Sequence, residues 1–117
     1  MVIPEGWESA ELGEICTKIG SGKTPHGGES VYTIAGIMLI RSQNVDNGKM
    51  LLADVAYIDD EINSTMSNTE LQKNDVLLNI TGASIGRCCT YGLDARANVN
   101  KHVCIIRLKK GINHRLV

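Results

Sequence analysis

The chain contains no phenylalanine, one tryptophan and three tyrosines among 117 residues. Its core must therefore be built from aliphatic side chains. Only two prolines punctuate it. No apolar run approaches the roughly 20 residues that a bilayer-spanning helix needs. The opening Met-Val-Ile-Pro-Glu-Gly-Trp lacks a charged lead-in and an apolar signal core, so the expected location is cytoplasmic. Excess charge is missing too: the formal net charge is -1, which argues against a free-standing, charge-driven nucleic-acid binder. Catalytic signatures are equally scarce. No G-x-S-x-G or H-E-x-x-H occurs, and no Asp or Glu stands two residues before a lysine. His102, in front of an apolar strand, reads as a structural histidine rather than a base. An enzyme is not expected.

What is present is an ordinary globular composition, 43% hydrophobic, in a length that fits one domain or part of one. The most legible stretch is Leu71–Arg87. Asn74-Asp75 reads as a turn, because both side chains bond nearby backbone. Val76, Leu78 and Ile80 alternate with Leu77, Asn79 and Thr81, the period of a strand, with the first three expected to face the core. Gly82 and Gly86 bracket a short connection, and Arg87 follows at once.

The other elements fall around it. Trp7, Leu12 and Ile15 are spaced for a short helix or an irregular strand. Gly20–Gly28 holds four glycines and a proline and reads as a loop. Val31, Tyr32 and Ile34 form a brief edge element. Gly36–Arg41 is a second buried strand that empties into Ser42-Gln43-Asn44. Asp46-Asn47-Gly48-Lys49 is a turn, and Val55, Tyr57 and Ile58 mark a third strand. Asp59-Asp60-Glu61 opens a short helix with Ile62 and Met66 on its inner face. Ser67 and Glu70 are spaced as a capping box. Strands follow over Cys88–Tyr91 and Val103–Leu108, with a polar, mixed segment from Ala95 to His102 between them. The expected class is α+β: a twisted, mostly antiparallel or mixed sheet, or partial barrel, with one or two short helices.

Charge is unevenly spread. Residues 1–61 carry ten acids and four Lys/Arg, and residues 62–117 carry three acids and eight Lys/Arg. A near-neutral chain can thus present one basic face, although uneven solvation alone gives the same pattern. The cysteines at 16, 88, 89 and 104 lack metal-ligand spacing and read as buried cytosolic thiols.

Gly22-Lys23-Thr24 imitates a P-loop, but Thr17 stands where that pattern needs glycine. Pro25 and Gly27-Gly28 also oppose the helix that must begin at the lysine. The polar residues suit nucleic acid better. Ser21, Lys23 and Thr24 lie in a glycine-rich loop. Arg41, Gln43 and Asn44 end a strand. Arg87, Asn98, Asn100 and Lys101 flank two later strands. Arginine pairs with guanine in two places, and Asn or Gln with adenine, while Lys, Ser and Thr hold phosphates.

Taken in order, Pro4-x-Gly-Trp7, Leu12-Gly-Glu-Ile15, Ser21-Gly-Lys-Thr-Pro25, Ile40-Arg-Ser-Gln-Asn44, Asp75-Val-Leu-Leu78, Gly82-Ala-Ser-Ile-Gly86 and Asn98-Val-Asn-Lys-His-Val103 resemble the target-recognition domain of the specificity subunit of type I restriction-modification enzymes. The resemblance spans nearly the whole chain. It implies a non-catalytic subunit, without a cofactor of its own, that chooses the DNA sequence. A methyltransferase subunit carrying S-adenosylmethionine methylates, and a restriction/motor subunit cleaves. On a DNA-recognition reading Lys23, Thr24 and Arg87 are expected to hold phosphates, with Arg41, Gln43, Asn44, Asn98 and Asn100 as candidate base readers. Family members commonly carry Gln where this chain has Lys101. The resemblance also implies that residues 1–117 are a fragment of one target-recognition domain, lacking its C-terminal part and the long helices that dock the methyltransferase. A protein-interaction module that no longer binds DNA is the alternative reading.

Overall fold

The computed structural model describes residues 16–108. Within them the class is α+β: two open sheets, a small hairpin, one short helix and three single 3-10 turns, with no closed barrel. The strands are β1 (Cys16–Ser21), β2 (Ile37–Ile40), β3 (Val45–Asp46), β4 (Lys49–Met50), β5 (Ala56–Ile58), β6 (Val76–Asn79), β7 (Cys88–Thr90), β8 (Ala97–Val99) and β9 (Val103–Leu108). The helix, α1, is Asp60–Ser64. The first sheet runs β1-β9-β6-β7 and is antiparallel throughout. The second runs β5-β2-β8, antiparallel on one side of β2 and parallel on the other. β3 and β4 form a two-stranded hairpin around Asn47-Gly48, where Gly48 takes φ +77°.

The sheets share a core. Leu77, Val103 and Ile105 from the first meet Met38, Ile40 and Val99 from the second. The other faces are apolar as well. Val76, Leu78, Cys104 and Ile106 cluster on the outside of the first sheet. Ile37, Leu39 and Ile58 cluster on the outside of the second, covered by Ile62 and Met66. The alternation expected in β6 is thus present, but both of its faces are buried, and Leu77 rather than Val76 or Leu78 enters the larger core. A central strand covered on two sides needs an almost unbroken apolar run, which β2, β6 and β9 all have.

Several local expectations fit. Asn74 turns with φ +76°. Asp59 caps α1, its Oδ1 accepting the Ile62 N–H at 2.8 Å. Others are corrected. Gly20 and Ser21 belong to β1 rather than to the loop. Residues 28–31 form a 3-10 turn, and only Thr33 bridges to Tyr57, so the edge element over Val31, Tyr32 and Ile34 is absent. Ser67 and Glu70 make no capping box: Ser67 opens a single 3-10 turn, and Glu70 bonds Asn63 and Arg96 instead. The segment 95–102 hides a strand, β8, because parallel pairing with β2 buries Ala97, Asn98 and Val99. The motifs around Trp7 and Leu12–Ile15 lie outside the described residues. No helix among the described residues is long and apolar enough to cross a membrane.

Candidate nucleic-acid interface

Strand direction gathers four connections at one end. β2 and β8 are parallel, so both finish there, and the Asn100 N–H bonds the Ile40 carbonyl at 3.1 Å. β6 is antiparallel to β9, so Ile80 follows Asn79 to the place where β9 begins, and its N–H bonds the His102 carbonyl at 3.1 Å. β1 ends opposite the start of β9, with Ser21 facing Cys104. Gly22 then lies against the backbone of Val99 and Asn100. A Cβ on Gly22 would fall 1.8 Å from the Val99 carbonyl oxygen, so only glycine allows this approach.

The first four residues of the β1–β2 connection, 22–25, and the connections 41–44, 80–87 and 100–102 therefore share one rim. They carry Lys23, Arg41, Arg87, Lys101 and His102, and no Asp or Glu. Lys23, Arg87 and Lys101 are exposed, and none has a side-chain partner among the described residues. No helix begins at Lys23: residues 22–25 are irregular, and the next element is the 3-10 turn at Gly28. The phosphate cradle of a P-loop is not built here.

Part of the rim is a cleft of about 320 Å³, lined among others by Ser42, Gln43, Thr81, Ser84, Arg87 and His102. Asn79 organises its floor. Its Nδ2 donates to the Ser42 carbonyl at 2.9 Å and to Ser84 Oγ at 3.1 Å. Thr81 Oγ1 and His102 Nδ1 lie 2.7 Å apart, which ties the 80–87 connection to the turn before β9. His102 thus has the structural partner expected of it and also faces the cleft. The sequence alone does not mark Ser42, Thr81, Ser84 and His102 as site residues. Their signal was the polar, glycine-bracketed run Thr81–Gly86, which gives no hint that Ser42 and His102 fold against it.

The expected base readers divide. Asn44 is 1% exposed and Asn98 0%. Asn44 accepts the Arg41 N–H and donates to the carbonyls of Leu51 and Asp54, each at 2.9 Å. Asn98 donates to Asn63 Oδ1 and the Met66 carbonyl, each at 2.8 Å, and accepts from Thr69 Oγ1 at 2.7 Å. Both amides are buried and bonded within the framework, so neither is presented at the surface of the rim. Arg41 is half-buried. Its Nη2 donates to the Asp54 carbonyl at 3.0 Å, and its guanidinium lies 5.7 Å from the Tyr32 ring centre. Gln43 is exposed but bonds Asp54 Oδ2 at 2.9 Å. Asn100 uses its Oδ1 to hold the His102 N–H at 3.0 Å. Ser21 and Thr24 are exposed beside Lys23.

Chemically, the rim offers hydrogen-bond donors and, in Lys23, Arg87 and Lys101, cations that meet no acid among the described residues. Among the described residues no group of three or more His, Cys, Asp or Glu is placed to hold a metal ion. Burial pushes the Cys89 thiol up to about 11, leaving it a protonated, apolar core group.

The chain is 25% identical over 97 residues to the type I restriction enzyme EcoAI specificity subunit of Escherichia coli. That alignment takes in 83% of this chain and 16% of the relative, so the chain spans a small part of the length of the curated protein it matches. No protein-family model matches the chain. The similarity is distant and partial, and it points to a specificity subunit of a restriction system.

Proposed function

We propose that the chain is a DNA-recognition module of a type I restriction-modification system, a target-recognition domain or most of one, and that the rim of four connections is its DNA-binding surface. In this reading the module is not catalytic and takes no cofactor. It works in the cytoplasm as part of a specificity subunit, directing a methyltransferase subunit and a restriction/motor subunit to double-stranded DNA. Lys23, Thr24, Arg87 and Lys101 hold phosphates, with Ser21 at the edge of the same loop. Gln43, Asn100 and Arg41 remain the residues able to turn toward bases, Arg41 by exchanging Asp54 for guanine.

The observation that carries the reading is the convergence of four acid-free segments, 22–25, 41–44, 80–87 and 100–102, bearing four Lys/Arg, at one end of the sheets. The similarity to the specificity subunit supports it independently. Phosphate neutralisation makes affinity fall with salt, with a log–log slope of about -0.9 per contact on duplex DNA. Gel-shift titration of the intact chain against a duplex library, repeated over a salt series, should show that slope. A folded chain that binds duplex with no salt dependence, or fails to bind at low salt, would overturn the proposal. Co-purification with a methyltransferase subunit tests the partner assignment separately.

A further inference from the structure

The cleft beneath Arg87 has an unusual donor balance. No carboxylate of the described residues lines it. The Arg87 guanidinium meets no acid among the described residues. Ser84 Oγ already accepts from Asn79 Nδ2 at 3.1 Å, so its own proton points elsewhere. His102 uses only Nδ1, on Thr81, and leaves Nε2 without a protein partner among the described residues. Gly82 takes φ +75° and Gly86 φ +90°. Between these reversals the N–H groups of Gly82, Ala83 and Ser84 bond no other described residue, whereas the following three N–H groups are all taken. Successive free N–H groups in a tight turn make a concavity that attracts anions.

We propose that this cleft is an oxyanion pocket that takes a single phosphate group, namely one phosphodiester of a nucleic-acid backbone. Arg87 supplies the fixed charge, Ser84 a hydroxyl proton, and the 82–84 turn its backbone N–H groups. His102 and Thr81 close the side toward β9. The volume, about 320 Å³, exceeds what one phosphate fills and leaves room for the flanking sugars. Attribution to a nucleic-acid backbone rests on the DNA-binding reading; the pocket itself does not. Its consequence for recognition is register. A phosphate seated in a pocket has one position, whereas phosphates met by the exposed Lys23 and Lys101 have many, so the cleft would fix where the duplex stops sliding across the rim.

The test is an amide-resolved NMR titration of the intact chain with inorganic phosphate, against chloride at matched ionic strength. Saturable shifts confined to residues 82–87 and His102, with phosphate and not chloride, are expected. Arg87→Ala should weaken phosphate binding at least about tenfold and Ser84→Ala by a smaller factor, with Lys73→Ala, at the opposite end, unchanged. Because Arg87 bonds no other described side chain, its removal leaves the spectrum of a folded protein. Arg87→Lys, which keeps the charge and loses the fork, should recover part of the binding. Equal shifts with phosphate and chloride, or shifts spread over the surface lysines, overturn the pocket. A mixed-sequence 20-base-pair duplex forms the second arm. Shifts at the same residues, displaced by inorganic phosphate, support a backbone phosphodiester. Phosphate binding without duplex binding overturns that attribution and the DNA reading together, while the pocket stands.

Discussion

At the end where β1, β2, β6 and β8 finish, the exposed Lys23, Arg87 and Lys101 meet no acid among the described residues. At the opposite end, four of the acids stand in ion pairs. The connections 59–75 and 91–96 bring six acids and two Lys/Arg there. Arg96 reaches Asp60 and Glu70, each at 2.9 Å, and Lys73 reaches Asp94 at 3.3 Å. Asp75, with its side chain 1% exposed, is gripped by Arg107 through two bonds of 2.8 Å. Among the described residues, the basic end has only Asp54, which answers Arg41. Paired charge holds the acidic end to itself, and unpaired charge leaves the basic end open to a partner.

That contrast predicts which substitutions damage the fold and which damage binding. The largest effect is expected from Arg107→Ala. It strands the buried Asp75 carboxylate, and breaking such a pair costs about 3–5 kcal/mol. The urea midpoint should fall accordingly, while DNA affinity measured on the still-folded fraction should not change. A loss of affinity without a loss of stability would blur the distinction between the ends. Asn98→Ala comes next. Thr69 and Asn63 lose a buried partner, at about 1–3 kcal/mol for each group left unsatisfied. Unchanged stability with altered sequence preference would restore Asn98 as a base reader.

The Glu70 pair gives a smaller effect with a pH signature. The hydrogen bond from Arg96, helped by one from Asn63, holds the Glu70 carboxyl below its ordinary 4.5. A lowered folded value means the contribution is present at neutral pH and lost as pH falls below about 4.5 toward that lowered value. Because Glu70 is one-third exposed, the contribution is under about 1 kcal/mol. Glu70→Gln should therefore be slightly less stable than the parent at pH 7, and the gap should close in acid. A gap that widens in acid would contradict the sign. Lys23→Ala should move stability least, by no more than about 0.5 kcal/mol, yet reduce the salt slope of DNA binding by about one contact. Equal slopes in parent and variant would remove Lys23 from the interface.

Much of this arrangement was legible in the chain and some was not. β2, β6 and β9 announce themselves as aliphatic runs, and Asn47-Gly48 and Asn74-Asp75 announce their turns, because local sterics and short-range side-chain bonds decide both. β8 did not announce itself. Its three residues hold one asparagine between Ala97 and Val99, and only pairing with β2 and the sockets of Asn63 and Thr69 turn that polar residue inward. Asn44 and Asn98 look like exposed readers in one dimension for the same reason. A buried amide is recognised by its partners, and those of Asn98 lie up to 35 residues away. The acidic and basic halves of the sequence were visible. Their meaning changed with the fold, since Arg96 and Arg107 from the basic half serve the acidic end, and Lys23 and Arg41 from the acidic half serve the rim.

By itself the sequence determined most of the elements and their chemistry: an aliphatic frame of short strands, turns at its glycines and asparagines, and a small stock of guanidinium, ammonium and amide groups. Those properties follow from residues within a few positions of one another. Tertiary structure alone decided which of those groups meet. The parallel pairing of β2 with β8, the antiparallel pairing of β9 with β1 and β6, and the backbone contact at Gly22 bring residues 23, 43, 87 and 101 to one rim. Strand direction and register are set by contacts between residues far apart in the chain, and no local pattern encodes them.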